Sequence, residues 1–289
     1  SRRENADLFR ATCGGMGLTG VILSATIRLT RIDSPLIGGK VLAGRGLADL
    51  LEGFVAWSDW PYLVAWLDGT TVRKEGGRFV LMAGRHHGHG RLRYRPRPAL
   101  KVPCLLPGSL INRTTVKGFN AAYFEWKRRG KACFTVSLDA FFFPLDRLDN
   151  WNRLYGYRGF LQYQLVLPQT AGRRGLRTIF AEIARSSLTP SLAVLKGLGR
   201  ANDNYLSFPL QGYTLALDYK WTPGLFSFFE RLDRIVLECG GRLYLAKDAR
   251  MPAAMMAAGY PGLDDFARVR DRYGLRESFQ SRQSRRLDL

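Results

Sequence analysis

Gly240-Gly241-Arg242-Leu243-Tyr244-Leu245-Ala246-Lys247-Asp248-Ala249-Arg250 follows a run in which Leu225, Phe228, Phe229, Leu232 and Val236 repeat at helical spacing. That spacing predicts a helix over 224–238. The two glycines close it, because glycine accepts the left-handed conformation a helix end often needs. Arg242 to Ala246 is then free to run extended. Lys247 follows this apolar and aromatic strand, so its stem is expected to be shielded and its ammonium aimed at something. The plainer alternative is a surface lysine paired with Asp248 or Asp218, since most lysines are solvated.

The same alternation of helix and strand extends upstream. Gly159 to Pro168, Ser191 to Leu198 and Gly212 to Asp218 read as strands, and Leu176, Ile179, Phe180 and Ile183 mark a helix that stops before Pro190. Gln162 and Gln164 are two apart, which puts them on one strand face. Two amides on an apolar strand must each find partners, so this face is either wet or hydrogen-bonds a hydroxylated ligand. Lys196 stands in the 191–198 strand, and Thr214, Ala216 and Asp218 share a face. Ala132 to Phe143 is expected as a strand ending in Phe141-Phe142-Phe143-Pro144, followed by a loop through Arg153. Leu47, Leu50, Leu51, Phe54 and Val55 predict an amphipathic helix over 46–57. Tyr62 to Asp68 and Arg78 to Ala83 read as strands, the first carrying Trp66, whose plain reading is core packing.

Between these elements the pattern weakens. Residues 31–45 read as a crossover broken by Ser34-Pro35 and Gly38-Gly39. Residues 84–131 are less regular. Arg91 to Pro98 alternates basic residues with proline and apolar ones, an exposed loop suited to an anionic membrane or simply to solvent. Tyr123-Phe124-Glu125-Trp126-Lys127-Arg128-Arg129 suits an interfacial segment. Pro252 and Pro261 mark the starts of two short helices. At the N-terminal end, a short helix (Ala6 to Thr12) precedes Gly14, Gly15, Gly17 and Gly20, and a β-branched strand is expected from Val21 to Thr30. The helix precedes the glycines instead of following them, so this is no Rossmann fingerprint. It is either a close backbone approach to a ligand or a tight turn.

The totals narrow the classes. The chain has 289 residues and a net charge of +20, from 44 Lys and Arg against 24 Asp and Glu. The balance favours an anionic partner: nucleic acid, acidic lipid or a phosphorylated substrate. With no zinc-finger spacing or helix-turn-helix, membrane surface or phosphate is the better reading, without nucleic acid. No apolar run is long enough for a membrane-spanning helix. Cys13, Cys104, Cys133 and Cys239 form no metal spacing and are expected as buried free thiols. His86, His87 and His89 are expected in solvent in a glycine-rich loop, with no metal. A hydrolase triad would need one of these three histidines. The abrupt start at Ser1 suggests a chain whose N-terminal part is missing.

Three stretches resemble one family. Gly-Gly-Arg-Leu-Tyr-x-Ala-Lys-Asp-x-Arg at 240–250, Asp-Leu-Phe-x-Ala-x-x-Gly-Gly-x-Gly-x-x-Gly-Val-Ile at 7–22 and Phe-Leu-Gln-Tyr-Gln-x-Val-x-Pro at 160–168 resemble the decaprenylphosphoryl-β-D-ribose 2-oxidase family, FAD flavoproteins of the vanillyl-alcohol-oxidase type. The resemblance implies an α+β chain: the tail of an FAD domain (1–34), an antiparallel-sheet substrate domain flanked by helices (35–240), and a C-terminal segment returning to the FAD domain (241–289). It implies non-covalent FAD touched by Tyr244 and by the backbone at Gly20 and Val21, with Lys247 at the flavin and needed for turnover. Gln162, Gln164, Lys196 and Trp66 would line the substrate pocket. Thr214, Ala216 and Phe142 stand where mycobacterial members carry asparagine, cysteine and tyrosine. The implied reaction oxidises the 2-hydroxyl of a polyprenyl-phosphoryl-β-D-ribose to a ketone. An NADH-dependent short-chain reductase partner completes the epimerisation to an arabinose donor, at the membrane of a bacterial cell envelope. The rival readings are an FAD oxidase of a soluble sugar, alditol or lactone, and a non-enzymatic basic lipid- or nucleic-acid-binding module.

Overall fold

The computed structural model describes residues 1–73, 75–88, 94 and 100–289. Its strands are β1 (Leu36–Arg45), β2 (Tyr62–Leu67), β3 (Arg78–His86), β4 (Leu100–Lys101), β5 (Cys133–Ser137), β6 (Leu148–Asp149), β7 (Phe160–Pro168), β8 (Leu192–Leu198), β9 (Gly212–Lys220) and β10 (Arg242–Leu243). Its helices are α1 (Ala6–Thr12), α2 (Leu47–Ala56), α3 (Arg113–Arg129), α4 (Leu138–Phe142), α5 (Gln169–Arg185), α6 (Leu225–Glu238), α7 (Ala253–Gly259), α8 (Leu263–Arg272) and α9 (Arg282–Leu287). Eight strands form one sheet in the order β10-β7-β9-β8-β2-β3-β1-β5, and its neighbours pair antiparallel. β4 and β6 form a separate parallel pair.

One face of the sheet holds the main core. Leu165 and Leu167 of β7, Leu215 and Leu217 of β9, Leu195 of β8 and Leu81 of β3 are all buried there. They meet Leu176, Ile179, Phe180 and Ile183 of α5, Phe228, Phe229, Leu232 and Val236 of α6, and Leu50 and Phe54 of α2. The helical residues recur at three- and four-residue spacing, which lays one stripe of each helix on the sheet. Each such side chain contributes roughly 1.5–3 kcal/mol of burial. On the opposite face, α3 packs on β1 and β3 and forms a smaller cluster of Phe124, Trp66 and Val80. The β8–β9–β7 half of that face stays partly open: Lys196 is exposed, and Gln162, Gln164 and Ala216 are half-buried.

Several local expectations change. Residues 36–45 form a strand, not a crossover. Gly39 marks close approach, a known use of glycine inside strands. A Cβ on Gly39 would lie 2.2 Å from the Ala83 carbonyl oxygen and 2.3 Å from the Phe134 ring. α3, within the stretch read as irregular, is a full helix. Asn112 caps it in a reciprocal box with Thr115, and Lys127, Arg128 and Arg129 close its last turn, where cations favour the helix dipole. The strand expected over 132–143 stops at Ser137, which caps α4, and Phe141 and Phe142 ride on that helix.

Val21 to Thr30 forms no strand. A strand needs a neighbour for its N–H and C=O groups, and among the described residues none pairs with it. Its apolar side chains stay in solvent, Leu23 at 92% exposure. The extended run after Gly241 covers only Arg242 and Leu243, then tightens into a 3-10 turn at Leu245–Lys247. Gly240 does end α6 in the left-handed region, with φ 69°.

Of the cysteines only Cys239 is buried, and Cys104 and Cys133 are exposed. His86 is not a solvent residue either: it ends β3 with its ring against Tyr62 and Phe142. His89 and the basic stretch 91–98, apart from Tyr94, lie outside the described residues. Tyr94 donates its hydroxyl to Asp139 at 2.7 Å. Among the described residues no helix is long and apolar enough to cross a membrane.

Candidate active site

The register of β7 on β9 sets Gln162 opposite Asp218 and Gln164 opposite Ala216. Alternation along the strands puts these four on the face away from α5 and α6. Gln162 Nε2 donates to Asp218 Oδ1 at 2.5 Å, and Gln164 Nε2 donates to Thr214 Oγ1 at 3.2 Å. The Thr214 hydroxyl is itself turned to the Leu165 carbonyl at 2.8 Å. Each glutamine therefore uses its N–H on the neighbouring strand. Neither side-chain carbonyl accepts a hydrogen bond from the described residues, so both can receive one from a hydroxyl group.

β10 docks along β7 through Arg242–Val166 and Leu243–Leu165, and the Tyr244 amide donates to the Gln164 carbonyl at 2.9 Å. That edge pairing brings Tyr244 and Lys247 beside the glutamines. Gln162, Gln164, Tyr244 and Lys247 line one small depression, together with Tyr163 and Arg250. Beneath it Asp233 accepts the Tyr163 hydroxyl at 2.8 Å and pairs with Arg250. Burial raises the Asp233 carboxyl despite these two partners and holds the Tyr163 hydroxyl far above its ordinary value.

Asp248, the obvious partner for Lys247, is committed elsewhere. It accepts the Arg250 and Met251 amides at 2.9 and 2.7 Å and pairs with Arg286 at 2.6 Å. Lys247 is an exposed residue that ends the 3-10 turn. It forms no ion pair with the described residues. The carboxylate that feels its charge is Asp218. Burial pushes Asp218 up to about 6, against the opposing pull of the Gln162 hydrogen bond and the Lys247 charge. This pairing of Asp218 with Gln162 is the part of the site the sequence left unassigned. Its shared parity with Thr214 and Ala216 was the available signal.

Other candidates stand at different distances from this depression. Lys196 lies opposite Thr214 on β8, exposed on the same face. Trp66 is buried under α3, its ring 4.8 Å from that of Tyr123. Phe142 lies on α4 over Tyr62, with centroids 4.7 Å apart. Gly20 is half-buried and Val21 exposed, and Val21 makes no backbone hydrogen bond with the described residues. The glycine segment nevertheless reaches the Tyr244 neighbourhood: Gly14 packs on Leu206, and Phe208 sets its ring tilted, 4.7 Å from that of Tyr244. Tyr244 and a lysine without an ion-pair partner share the depression, as the ring end of a flavin would require, but no backbone hydrogen bond among the described residues ties Gly20 or Val21 to them. Among the described residues no three His, Cys, Asp or Glu side chains come together as a metal site.

No protein-family model matches the chain. Decaprenylphosphoryl-beta-D-ribose oxidase of Mycolicibacterium smegmatis is 34% identical over 297 residues, across 99% of this chain and 64% of its own length. The chain is similar to this oxidase along almost its entire length. It spans just under two thirds of that relative. A protein of Streptomyces coelicolor described as "Uncharacterized protein in mprA 5'region" is 30% identical over 297 residues, across 98% of this chain and 81% of that protein. Both matches run through the sheet of this chain and its C-terminal helices alike.

Proposed function

We propose that this chain is a member of the decaprenylphosphoryl-β-D-ribose oxidase family and forms the substrate side of a flavin-dependent oxidase whose substrate is a polyprenyl-phosphoryl-β-D-ribose. The reading has the 2-hydroxyl oxidised to a ketone, the first half of an epimerisation that a separate NADH-dependent short-chain reductase completes. The product serves as an arabinose donor for envelope glycans. A peripheral position on the bacterial membrane goes with this reading, since the substrate is a lipid and the chain is strongly basic. FAD, bound non-covalently, would supply the two-electron acceptor.

The observation that carries the reading is Lys247: a lysine without a carboxylate partner among the described residues, beside two glutamines whose side-chain carbonyls accept no hydrogen bond from them. A fixed cation there stabilises negative charge gathering at a ring edge during hydride transfer, the kind of preorganised electrostatics that lowers barriers most. Gln162 and Gln164 would accept hydrogen bonds from the ribose hydroxyls and hold the C2–H in line. Lys196, on the same face, would meet the phosphate as a point charge. Tyr244, Gly20 and Val21 would hold the cofactor.

The test is the absorbance spectrum of the full-length protein, with and without Lys247→Ala. Flavin peaks in both, bleached by polyprenyl-phosphoryl-ribose only when Lys247 is present, are expected. Flavin that this substrate never bleaches would point to a soluble sugar, alditol or lactone as substrate. Purification without flavin would overturn the oxidase reading and favour a basic binding module.

A further inference from the structure

Asp218 is buried next to the candidate site and does not itself line the depression. Its link to the depression is Gln162. The two are register partners on β9 and β7, and Gln162 Nε2 donates to Asp218 Oδ1 at 2.5 Å. Among the described residues no other group donates to this carboxyl. A buried carboxylate with a single amide donor is a poor device for stabilising a sheet, because one hydrogen bond does not offset the loss of its water. Buried carboxyls of this kind recur at functional sites.

The two glutamines of the depression are held differently. Gln164 donates to the Thr214 hydroxyl, whose own proton goes to the Leu165 carbonyl. That hydroxyl can only accept from Gln164, at any pH. Gln162 is held by a group that titrates. An ionised carboxylate only accepts, so the amide must turn its NH2 to Asp218 and leave its carbonyl for a ligand. A protonated carboxyl also donates. It pairs with either end of the amide, so Gln162 can turn over and offer NH2 instead. The surroundings of Asp218 add one charge. Lys247 reaches it from the 3-10 turn and favours the ionised form, against the burial that raises its pKa. β8 presents Leu192 opposite it. The Tyr155 hydroxyl bonds Ser191 at 2.8 Å, and burial pushes its pKa up to about 12, so it stays neutral. Lys220, two residues along β9, is tied to the Gly108 carbonyl.

We infer that Asp218 is a positioning residue of the oxidase: ionised, it fixes Gln162 with the side-chain carbonyl turned to the substrate, so that a non-reacting ribose hydroxyl meets an acceptor. The inference rests on the oxidase reading for the identity of the ligand. Asp218 touches neither substrate nor cofactor in this role and acts through the amide alone. An acceptor that holds a non-reacting hydroxyl equally before and during hydride transfer affects KM and leaves kcat unchanged.

The experiment measures kcat and KM of the full-length, flavin-loaded protein with polyprenyl-phosphoryl-ribose across the acid and neutral range. In wild type, KM is expected to fall as pH rises through about 6, by roughly three- to tenfold, the reach of one hydrogen bond. No matching step is expected in kcat. Asp218→Asn should show the high KM of acidic wild type at every pH, because its amide pairs with either end of Gln162. Gln162→Met, similar in length and without polar groups, should also give a high KM and no step, and serves should Asp218→Asn not fold. A KM step that persists in Asp218→Asn overturns the inference, and so does a wild type without the step. A loss confined to kcat and equal at every pH also overturns it, since that would make Asp218 a structural residue only. Those outcomes leave the oxidase reading standing. A wild-type flavin that the substrate never reduces refutes the oxidase reading itself, and the inference falls with it.

Discussion

Asp218 should make the protein less stable as pH rises through the acid range, and Asp218→Asn should remove that dependence. The side chain is 1% exposed and receives one hydrogen bond, from Gln162. Burial moves its carboxyl from 3.8 to about 6. A shift of about 2 units corresponds to about 3 kcal/mol between the two protonation states. The sign follows from proton counting. The folded protein binds this proton more readily than the unfolded chain, so the stabilising contribution is complete below pH 3.8 and is lost as pH rises through about 6. The substituted amide would be neutral at every pH and could still accept from Gln162. In urea titrations followed by tryptophan fluorescence, the variant should match wild type near pH 4 and exceed it by about 2–3 kcal/mol at pH 7 and above. Other groups titrate in both proteins, so the difference between them is the readout. A difference that stays constant from pH 4 to 8 would refute the reasoning. A wild type more stable than Asp218→Asn at pH 7 would mean that Lys247 neutralises the carboxylate in the native state.

Three further expectations concern the scaffold. Gly39→Ala puts a methyl group into the Ala83 carbonyl and the Phe134 ring and should cost about 2–3 kcal/mol, seen as a lower melting temperature. Arg270 is fully buried and donates to the carbonyls of Leu18 and Phe279 at 3.2 and 2.7 Å; Arg270→Met should cost about 3 kcal/mol, with faster amide exchange at 274–280. Thiol titration with a chromogenic disulfide should show Cys104 and Cys133 reacting quickly in the native protein and Cys239 only on unfolding. Fast reaction of Cys239 would contradict its position beneath α5.

Much of the candidate site was legible because strand periodicity is local. Gln162 and Gln164 two apart, and Thr214, Ala216 and Asp218 in one parity class, need only an extended chain to share a face. Helices α2, α5 and α6 were equally plain, since each carries a dense apolar stripe against the main core. α3 was not. It buries little more than Val116, Asn120 and Phe124, and its stability comes from its cap, its terminal cations and the sheet beneath it.

The sequence by itself determined the elements whose apolar pattern is strong, the polar face of β7 and β9, and the presence of a lysine after the last strand. The likeness to the oxidase was also readable there, through the motifs at 7–22, 160–168 and 240–250. Only the tertiary structure decided what those residues meet. Lys247 has no ion-pair partner among the described residues because Arg286, from the far end of the chain, takes Asp248. Gly38 and Gly39 lie in a strand because β5 returns to cross them. Val21 to Thr30 has the composition of a strand without a strand's structure. Backbone pairing takes two segments, and a sequence pattern describes one of them at a time.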